Sequence, residues 1–232
     1  IKQNIPIVVV DSQSKFVFKP LMYEALSEEI KDWEIALDFE NIYANSGITF
    51  LQNRLLSINC TENIITFNND LQITYEYLVL CTGSSHNTFS VKGVDEYCYF
   101  FNDMNDLNKL RDLFKTKSIG SSLKNLRIIG GGPSGIELAC KIYDLYSKNF
   151  QISIIEKSQE ILSKNKIYNR EEAEKAIKNR KINLILSTTV DEITEKEIII
   201  SDQFNNVSHL DYEAVIWTAG IRSNLPHIFE DL

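Results

Sequence analysis

Glycine is scarce in this 232-residue chain: only nine occur, and proline only four times. Long apolar runs are missing too; the longest, such as Ile7-Val8-Val9-Val10, fall far short of the roughly 18 residues that a membrane-spanning helix needs. There is no Lys/Arg cluster, and 24 basic against 32 acidic side chains leave a net charge of −8, which excludes nucleic-acid binding through a basic patch. The four cysteines, Cys60, Cys81, Cys98 and Cys140, stand 21, 17 and 42 residues apart. That spacing encodes neither a zinc knuckle nor a local redox dithiol, and unpaired thiols point to a reducing compartment. No HExxH, no Ser/His/Asp arrangement and no paired-acid motif occurs. With 44% hydrophobic and 24% charged residues the composition is that of a globular protein, one large domain or two small ones.

What the chain does contain is unevenly placed. Four of its glycines, Gly130, Gly131, Gly132 and Gly135, fall within six residues. A chain sparing with glycine uses it where the backbone turns tightly or approaches something closely. The cluster Gly130-Gly131-Gly132-Pro133-Ser134-Gly135 has the G-x-G-x-x-G spacing. It follows a predicted strand, Leu126–Ile129, and opens a predicted helix from Pro133 to Lys148 with Ile136, Ala139, Cys140 and Tyr143 on one face. A second run, Ile152–Ile155, ends in Glu156, 21 residues after Gly135. Strand, glycine loop, helix, strand and acid form the context of a dinucleotide site. Gly130 allows the turn, Gly132 lets a pyrophosphate approach the backbone, and Gly135 lets helix and strand pack closely. The helix N-terminus then meets the negative pyrophosphate. Glu156 would accept hydrogen bonds from the adenosine ribose, which favours NADH over NADPH because a 2′-phosphate is repelled. The adjacent Lys157 moderates that preference.

The rest of the pattern predicts strands at Ile5–Val10, Ile48–Ile58, Ile64–Phe67, Leu71–Tyr75, Tyr77–Cys81, Leu184–Leu186, Val190–Ile193, Glu197–Ile200 and Ala214–Trp217. Helices are predicted over Phe39–Asn45, Asn105–Phe114 and Asn169–Asn179. Ile5–Val10, Tyr77–Cys81 and Ala214–Trp217 read as buried strands, and Met22 and Trp33 as packing residues. Strands alternating with helices make this an α/β chain. The polar stretch Lys115–Lys124 marks a boundary, dividing the chain into 1–118 and 119–232. The two parts repeat one another: Tyr75–Gly83 matches Tyr212–Gly220 at an offset of 137, and the strand-end acid Asp11 matches Glu156 at an offset of 145. Carrying Gly135 back by 145 places an equivalent glycine near position −10, so the repeat predicts a glycine loop upstream of Ile1. Asp11 then has the ribose role toward a second dinucleotide. Thr82-Gly83 and Thr218-Ala219-Gly220 end predicted strands in small residues, where a planar ligand could cross the sheet edge.

Two dinucleotide folds in one chain resemble the plan of the two-dinucleotide flavin reductases. The disulfide reductases among them carry a Cys-x-x-x-x-Cys pair soon after the first strand-end acid. Here Asp11 is followed by Phe16-Val17-Phe18-Lys19-Pro20-Leu21-Met22-Tyr23-Glu24, and the first cysteine is Cys60. That segment, with Trp33-Glu34-Ile35-Ala36, resembles the type II NAD(P)H:quinone oxidoreductases, in particular their cyanobacterial and chloroplast prenylquinone (demethylphylloquinone) reductase branch. Leu78–Gly83, Gly130–Glu137, Asn169–Ala173 and Ile216–Gly220 continue the likeness.

The resemblance implies two Rossmann-like domains, FAD-binding and NAD(P)H-binding, the first incomplete because its first βα unit lies outside the chain. It implies a flavin enzyme that passes hydride from NADH, or NADPH, to FAD and on to a membrane quinone. Such transfer needs no catalytic side chain and no metal, because the cofactor carries the chemistry. Asp11 would bind the FAD ribose, with Leu55 near the adenine and Lys19, Pro20, Thr82 and Gly83 beside the isoalloxazine. Gly130, Gly132, Gly135, Glu137 and Glu156 would serve NAD(P)H, and Thr218, Ala219 and Gly220 would sit where nicotinamide meets flavin. The family's later Gly-Asp segment and its C-terminal membrane-binding part are not in this chain, so it is expected to be truncated at both ends and to hold FAD poorly by itself. Its expected partners are a prenylquinone and a second copy in a homodimer, with no nucleic acid. The expected location is cytoplasmic, peripheral on the plasma or thylakoid membrane in the full-length protein. Two other readings stay open: a soluble ferredoxin- or rubredoxin-type flavin reductase, and a non-catalytic NAD-binding module.

Overall fold

The structure, a computed structural model, describes residues 5–119 and 122–224. They form two compact units, each discontinuous in sequence: one holds the residues up to 18, 31–85 and those from 222, the other holds 19–30 and 86–221. The division expected at 118/119 is therefore not a limit of either unit. Residues 86–118 group with the glycine loop: Val94 joins the core of Ile129 and Ile155, and Phe114 lies against Tyr146 and Phe150.

The second unit is built on a five-stranded sheet. Its strands are β9 (Cys98–Tyr99), β10 (Lys124–Ile129), β11 (Phe150–Ile155), β12 (Asn183–Ile185) and β16 (Ala214–Trp217), all parallel. Leu126 pairs with Ile152 on one side and Ala214 on the other, which makes β10 central. Parallel strands covered on both faces need near-continuous apolar runs. Ile128-Ile129, Ile154-Ile155 and Ala214–Trp217 supply them, all buried.

Helix α6 (Pro133–Tyr146) starts with proline in its first turn and packs on β10 and β11. It buries Gly135, Ile136, Leu138, Ala139 and Ile142, while Cys140 and Tyr143, expected on that face, are only half-buried. The covered stripe is thus turned toward Leu138 and Ile142. Helix α5 (Met104–Lys117) is capped by the Asp103 carboxylate, which accepts from the Asp106 N–H, and it ends in Lys115 and Lys117. It buries Leu107, Leu110, Leu113 and Phe114, as their spacing predicts. Helix α7 (Ile167–Asn179) covers the predicted Asn169–Asn179 and buries only Ile177.

An antiparallel sheet of β13 (Thr188–Ile193), β14 (Glu197–Asp202) and β15 (Val207–Asp211) adds a second layer to this unit. Val190, Ile193, Ile198 and Ile200 close on Ile129, Ile155, Val215 and Trp217 as one core. Strand β15 carries no apolar alternation in the sequence because it is an exposed edge. The short helix α4 (Val94–Tyr97) contributes Val94 to the same core. Helix α1 (Met22–Leu26), entered by a 3₁₀ turn at Lys19–Leu21, buries Met22, Ala25 and Leu26. It is fixed by Arg111, whose Nη2 donates to the Ala25 carbonyl at 2.5 Å, and by a Lys141–Glu29 ion pair at 2.8 Å in the chain just beyond it.

In the first unit β1 (Ile7–Asp11) pairs in parallel with β4 (Ile48–Gln52), and β2 (Lys15–Val17) pairs antiparallel with β3 (Ala36–Asp38). Helices α2 (Asp32–Ile35) and α3 (Phe39–Tyr43) flank β3, and α3 gives way to left-handed Asn45 and Gly47. An antiparallel sheet of β5 (Leu55–Asn59), β6 (Ile64–Phe67) and β7 (Gln72–Thr74) surrounds a small core of Ile58, Ile65 and Phe67. A separate ladder pairs β8 (Ser84–His86) with β17 (Ile221–Ser223).

Four expectations are corrected here. The run Ile48–Ile58 is two strands in different sheets, broken where Asn53 Oδ1 accepts from the Arg54 N–H at 2.8 Å. Ile5–Val10 does form a strand, yet Ile7 and Val8 stay about half exposed, because a two-stranded sheet covers little. Tyr77–Cys81 is neither a strand nor buried: Tyr77 is 85% exposed and Val79 81%. A strand exists only through the ladder it shares with a neighbour, and no strand among the described residues runs beside this one; Leu78 and Leu80 merely lean on the Ile58/Phe67 core. Trp33, expected to pack, is 70% exposed.

Candidate functional site

The glycine loop leaves the carboxyl end of β10, and Thr218-Ala219-Gly220 leaves the carboxyl end of its neighbour β16. From β10 the chain winds outward through β11 to β12, while β16 and β9 lie on the other side. The strand order thus reverses between β10 and β16, the place where open parallel sheets bind ligands.

Each glycine of the loop has its own reason. Gly130 has φ +111°, and a β-carbon there would lie 2.8 Å from Ala219 Cα. A β-carbon on residue 135 would overlap the Gly130 carbonyl oxygen and come within 2.7 Å of Thr218 Oγ1. Thr218 seals this contact: its N–H and its hydroxyl donate to the Ile129 carbonyl at 2.8 and 2.9 Å. Gly132 is different. Its backbone is extended, and nothing lies within 4 Å of where its β-carbon would stand. The protein itself has no need of glycine at 132; the bare backbone faces open space at the start of α6. That helix start has no side-chain cap and no acid in its first turn, so its partial positive charge is not offset by its own residues.

Glu156 is held at this loop by two backbone donors. The Gly131 N–H donates to its Oε2 at 2.6 Å and the Ser158 N–H to its Oε1 at 2.7 Å. Each carboxylate oxygen keeps capacity for a further donor, so the group is oriented and still able to accept from a diol. The sequence reading missed Gly131 and Ser158 as parts of this arrangement. Gly131 had a signal, a fourth glycine at a position where the motif does not ask for one. Ser158 acts through its backbone and had none.

The remaining expected residues are dispersed. Glu137 is exposed on α6, one turn beyond the loop. Its carboxylate and the Ser134 hydroxyl share hydrogen bonds with Tyr23, whose phenol is pushed up to about 12 by burial and then by the Glu137 charge. Gly220 stacks closely on the Phe89 ring, and its carbonyl accepts from the Asn87 N–H at 2.9 Å. Lys19 and Pro20 lie in the 3₁₀ turn of the second unit, where Lys19 Nζ donates to Asn102 Oδ1 at 2.9 Å. Asp11, Leu55, Thr82 and Gly83 belong to the first unit. There Asp11 Oδ1 accepts from the Gln13 N–H at 2.8 Å, the same two-residue turn that Glu156 makes with Ser158. Leu55 starts β5, and Gly83 follows Thr82 with φ +70°. Burial raises the pKa of Cys98, to about 12, and that of Cys140, so neither thiol is set up as a nucleophile. Among the described residues no three potential metal ligands come together, and no helix is long and apolar enough to cross a membrane.

The residues present fit a dinucleotide at the second-unit loop: an open backbone cradle for phosphate, an uncapped helix start behind it, and an oriented acid for a ribose. For FAD the fit rests on the Asp11 turn alone.

The chain is 30% identical over 220 residues to demethylphylloquinone reductase NdbB of Synechocystis, covering 92% of this chain and 54% of that protein. It is 31% identical over 215 residues to the alternative NAD(P)H-ubiquinone oxidoreductase C1 of Arabidopsis thaliana, covering 85% and 41%. The chain thus spans about half the length of the curated relatives it matches. Among solved structures it superposes on NDH2 from Plasmodium falciparum in complex with NADH with a TM-score of 0.84 at 21% identity, over 97% of this chain and 52% of that one. These relatives carry the names of the type II group that the Phe16–Glu24 segment resembles. The likeness is not confined to the glycine loop: the profile of one family matches residues 2–231, and the chain belongs to the pyridine nucleotide-disulphide oxidoreductase family.

Proposed function

We propose that this chain is the nucleotide-handling part of a type II NAD(P)H:quinone oxidoreductase, in which NADH reduces FAD and the electrons pass to a membrane prenylquinone. Atoms and electrons balance as NADH, a proton and the quinone giving NAD⁺ and the quinol. The observation that carries this reading is the pairing of an empty space over Gly132 with the fixed carboxylate of Glu156 at one sheet edge. The names of the relatives support the acceptor.

In this reading Gly130 and Gly135 hold β10, α6 and β16 close enough to form the cradle, and Gly132 admits the pyrophosphate to the helix start. Glu156 accepts from both adenosine ribose hydroxyls and disfavours a 2′-phosphate, so NADH is preferred over NADPH. Glu137 serves the same nucleotide from the next turn of α6. Thr218, Ala219 and Gly220 offer a small, flat strand end where the nicotinamide is presented. When bound, FAD accepts the hydride and supplies the two electrons to the quinone. Asp11 and Leu55 would hold its adenosine, and Thr82 and Gly83 would border its ring. The unit that holds residues 31–85 then serves mainly FAD, and the unit that holds 19–30 and 86–221 serves NAD(P)H. The contribution of these residues is alignment and exclusion of water, which is what transfer between two rings requires.

The test is anaerobic mixing of the flavin-loaded full-length protein with NADH, followed by a prenylquinone analogue. Bleaching of the flavin band by NADH and its recovery on adding quinone are expected. A flavin band untouched by NADH contradicts the reading, and recovery only with a ferredoxin-type carrier transfers it to the soluble reductases.

A further inference from the structure

Gly131 occupies the variable position of the glycine motif, and its φ lies outside the left-handed region, so the backbone conformation does not require glycine there. The space does. A β-carbon on residue 131 would stand 3.0 Å from Glu156 Cγ, 3.1 Å from its Cβ and 3.1 Å from its Oε2. At the same residue the N–H donates to Glu156 Oε2 at 2.6 Å. Its carbonyl is tied as well, accepting from the Leu162 N–H at 2.9 Å. Anchored at both ends, and flanked by Gly130, which is pressed against Ala219, the backbone at 131 has little room to retreat. Any added methyl must be accommodated by the Glu156 side chain, which is half-buried and has rotatable bonds.

We propose that Gly131 is a positioning residue for coenzyme choice: its missing side chain and its N–H together set where the Glu156 carboxylate stands, and thereby how well the site tells NADH from NADPH. The inference rests on the reading of this loop as the NAD(P)H site. It adds that selectivity resides in a pair, 131 with 156, and not in the acid alone. A shift of the carboxylate by a few tenths of an ångström stretches the 2.6 Å bond and misaligns the acceptors for a ribose diol. NADH depends on those acceptors and loses affinity. NADPH, which does not profit from them, loses little.

The experiment is a double-mutant cycle on the full chain with Gly131→Ala, Glu156→Ala and the double variant, reading calorimetric Kd for NADH and NADPH beside the thermal midpoint. Gly131→Ala is expected to weaken NADH about tenfold and NADPH less than about threefold, the size of one misaligned hydrogen bond. In the Glu156→Ala background the same substitution should change either Kd less than about twofold, because the atoms it displaces are gone. Equal losses for both nucleotides, or the same NADH loss in both backgrounds, would overturn the proposal while leaving the NAD(P)H site intact. A wild-type chain that binds neither nucleotide sinks the site assignment itself. If Gly131→Ala does not fold, recovery of folding by Glu156→Ala supports the contact, and failure of both variants overturns it.

Discussion

Leu78–Gly83 and Val215–Gly220 carry nearly the same sequence pattern, an apolar run that ends in Thr and Gly, and they have opposite fates. The second is an inner strand, laddered to β10 on one side and β9 on the other, with Val215 and Ile216 wholly buried. The first has no ladder, and its Val79 is 81% exposed. The surroundings differ accordingly. Of the 36 buried apolar side chains among the described residues, six (Ile35, Ala36, Phe39, Ile58, Ile65 and Phe67) lie in the first unit, so a strand there has little to be covered by. An apolar run is thus permission to form a buried strand, and a partner strand with a covering layer is the cause. The strand-end acids tell the same story in reverse. Asp11 and Glu156 make the same local turn, at 2.8 and 2.7 Å, because that turn needs only two residues. Glu156 alone has a second anchor, the Gly131 N–H, and that one needs the fold.

The largest effect is expected at Gly135, where Gly135→Ala puts a methyl into the Gly130 carbonyl and should cost more than about 3 kcal/mol of unfolding free energy in urea. Gly83→Ala in the first repeat meets no atom within 4 Å and should cost only the strain of its positive φ, about 1 kcal/mol. Next comes the matched pair in the runs themselves. Ile216→Ala should destabilise by about 2–4 kcal/mol and Val79→Ala by no more than about 0.5; equal losses at the two sites would mean that Tyr77–Cys81 is a buried strand after all. The smallest effect separates the acids. Glu156→Gln should weaken NADH about tenfold relative to NADPH, whereas Asp11→Asn should leave both affinities within about twofold, as read by nucleotide fluorescence.

How much of this was legible in the chain follows the same division. The β10–loop–α6–β11–Glu156 segment was readable because its signals are local: glycine where glycine is rare, helical spacing and a strand-end acid. α5 was readable from Leu107, Leu110, Leu113 and Phe114, and the place of Thr218-Ala219-Gly220 from the buried run before it. The grouping of residues 19–30 with the second unit was not, since it depends on Arg111 and Lys141, distant in sequence, reaching Ala25 and Glu29. Nor was β15, whose exposed edge carries no apolar alternation. The break at Asn53-Arg54 was passed over because the flanking residues on both sides favour strands equally. At the candidate site, the motif singled out Gly130, Gly132, Gly135 and Glu156, and the closeness of Gly131 to Glu156 emerged only from the space around that acid.

Gly132 is the one glycine of the loop that the protein itself does not require. Calorimetric titration of Gly132→Val with NADH, beside its thermal melt, addresses that directly. With open space around the residue, the melting point should stay within about 2 °C of wild type. NADH affinity should fall at least about a hundredfold, because the side chain stands where the pyrophosphate must approach. An unchanged NADH affinity in a folded Gly132→Val protein would contradict the assignment of the loop as a dinucleotide site.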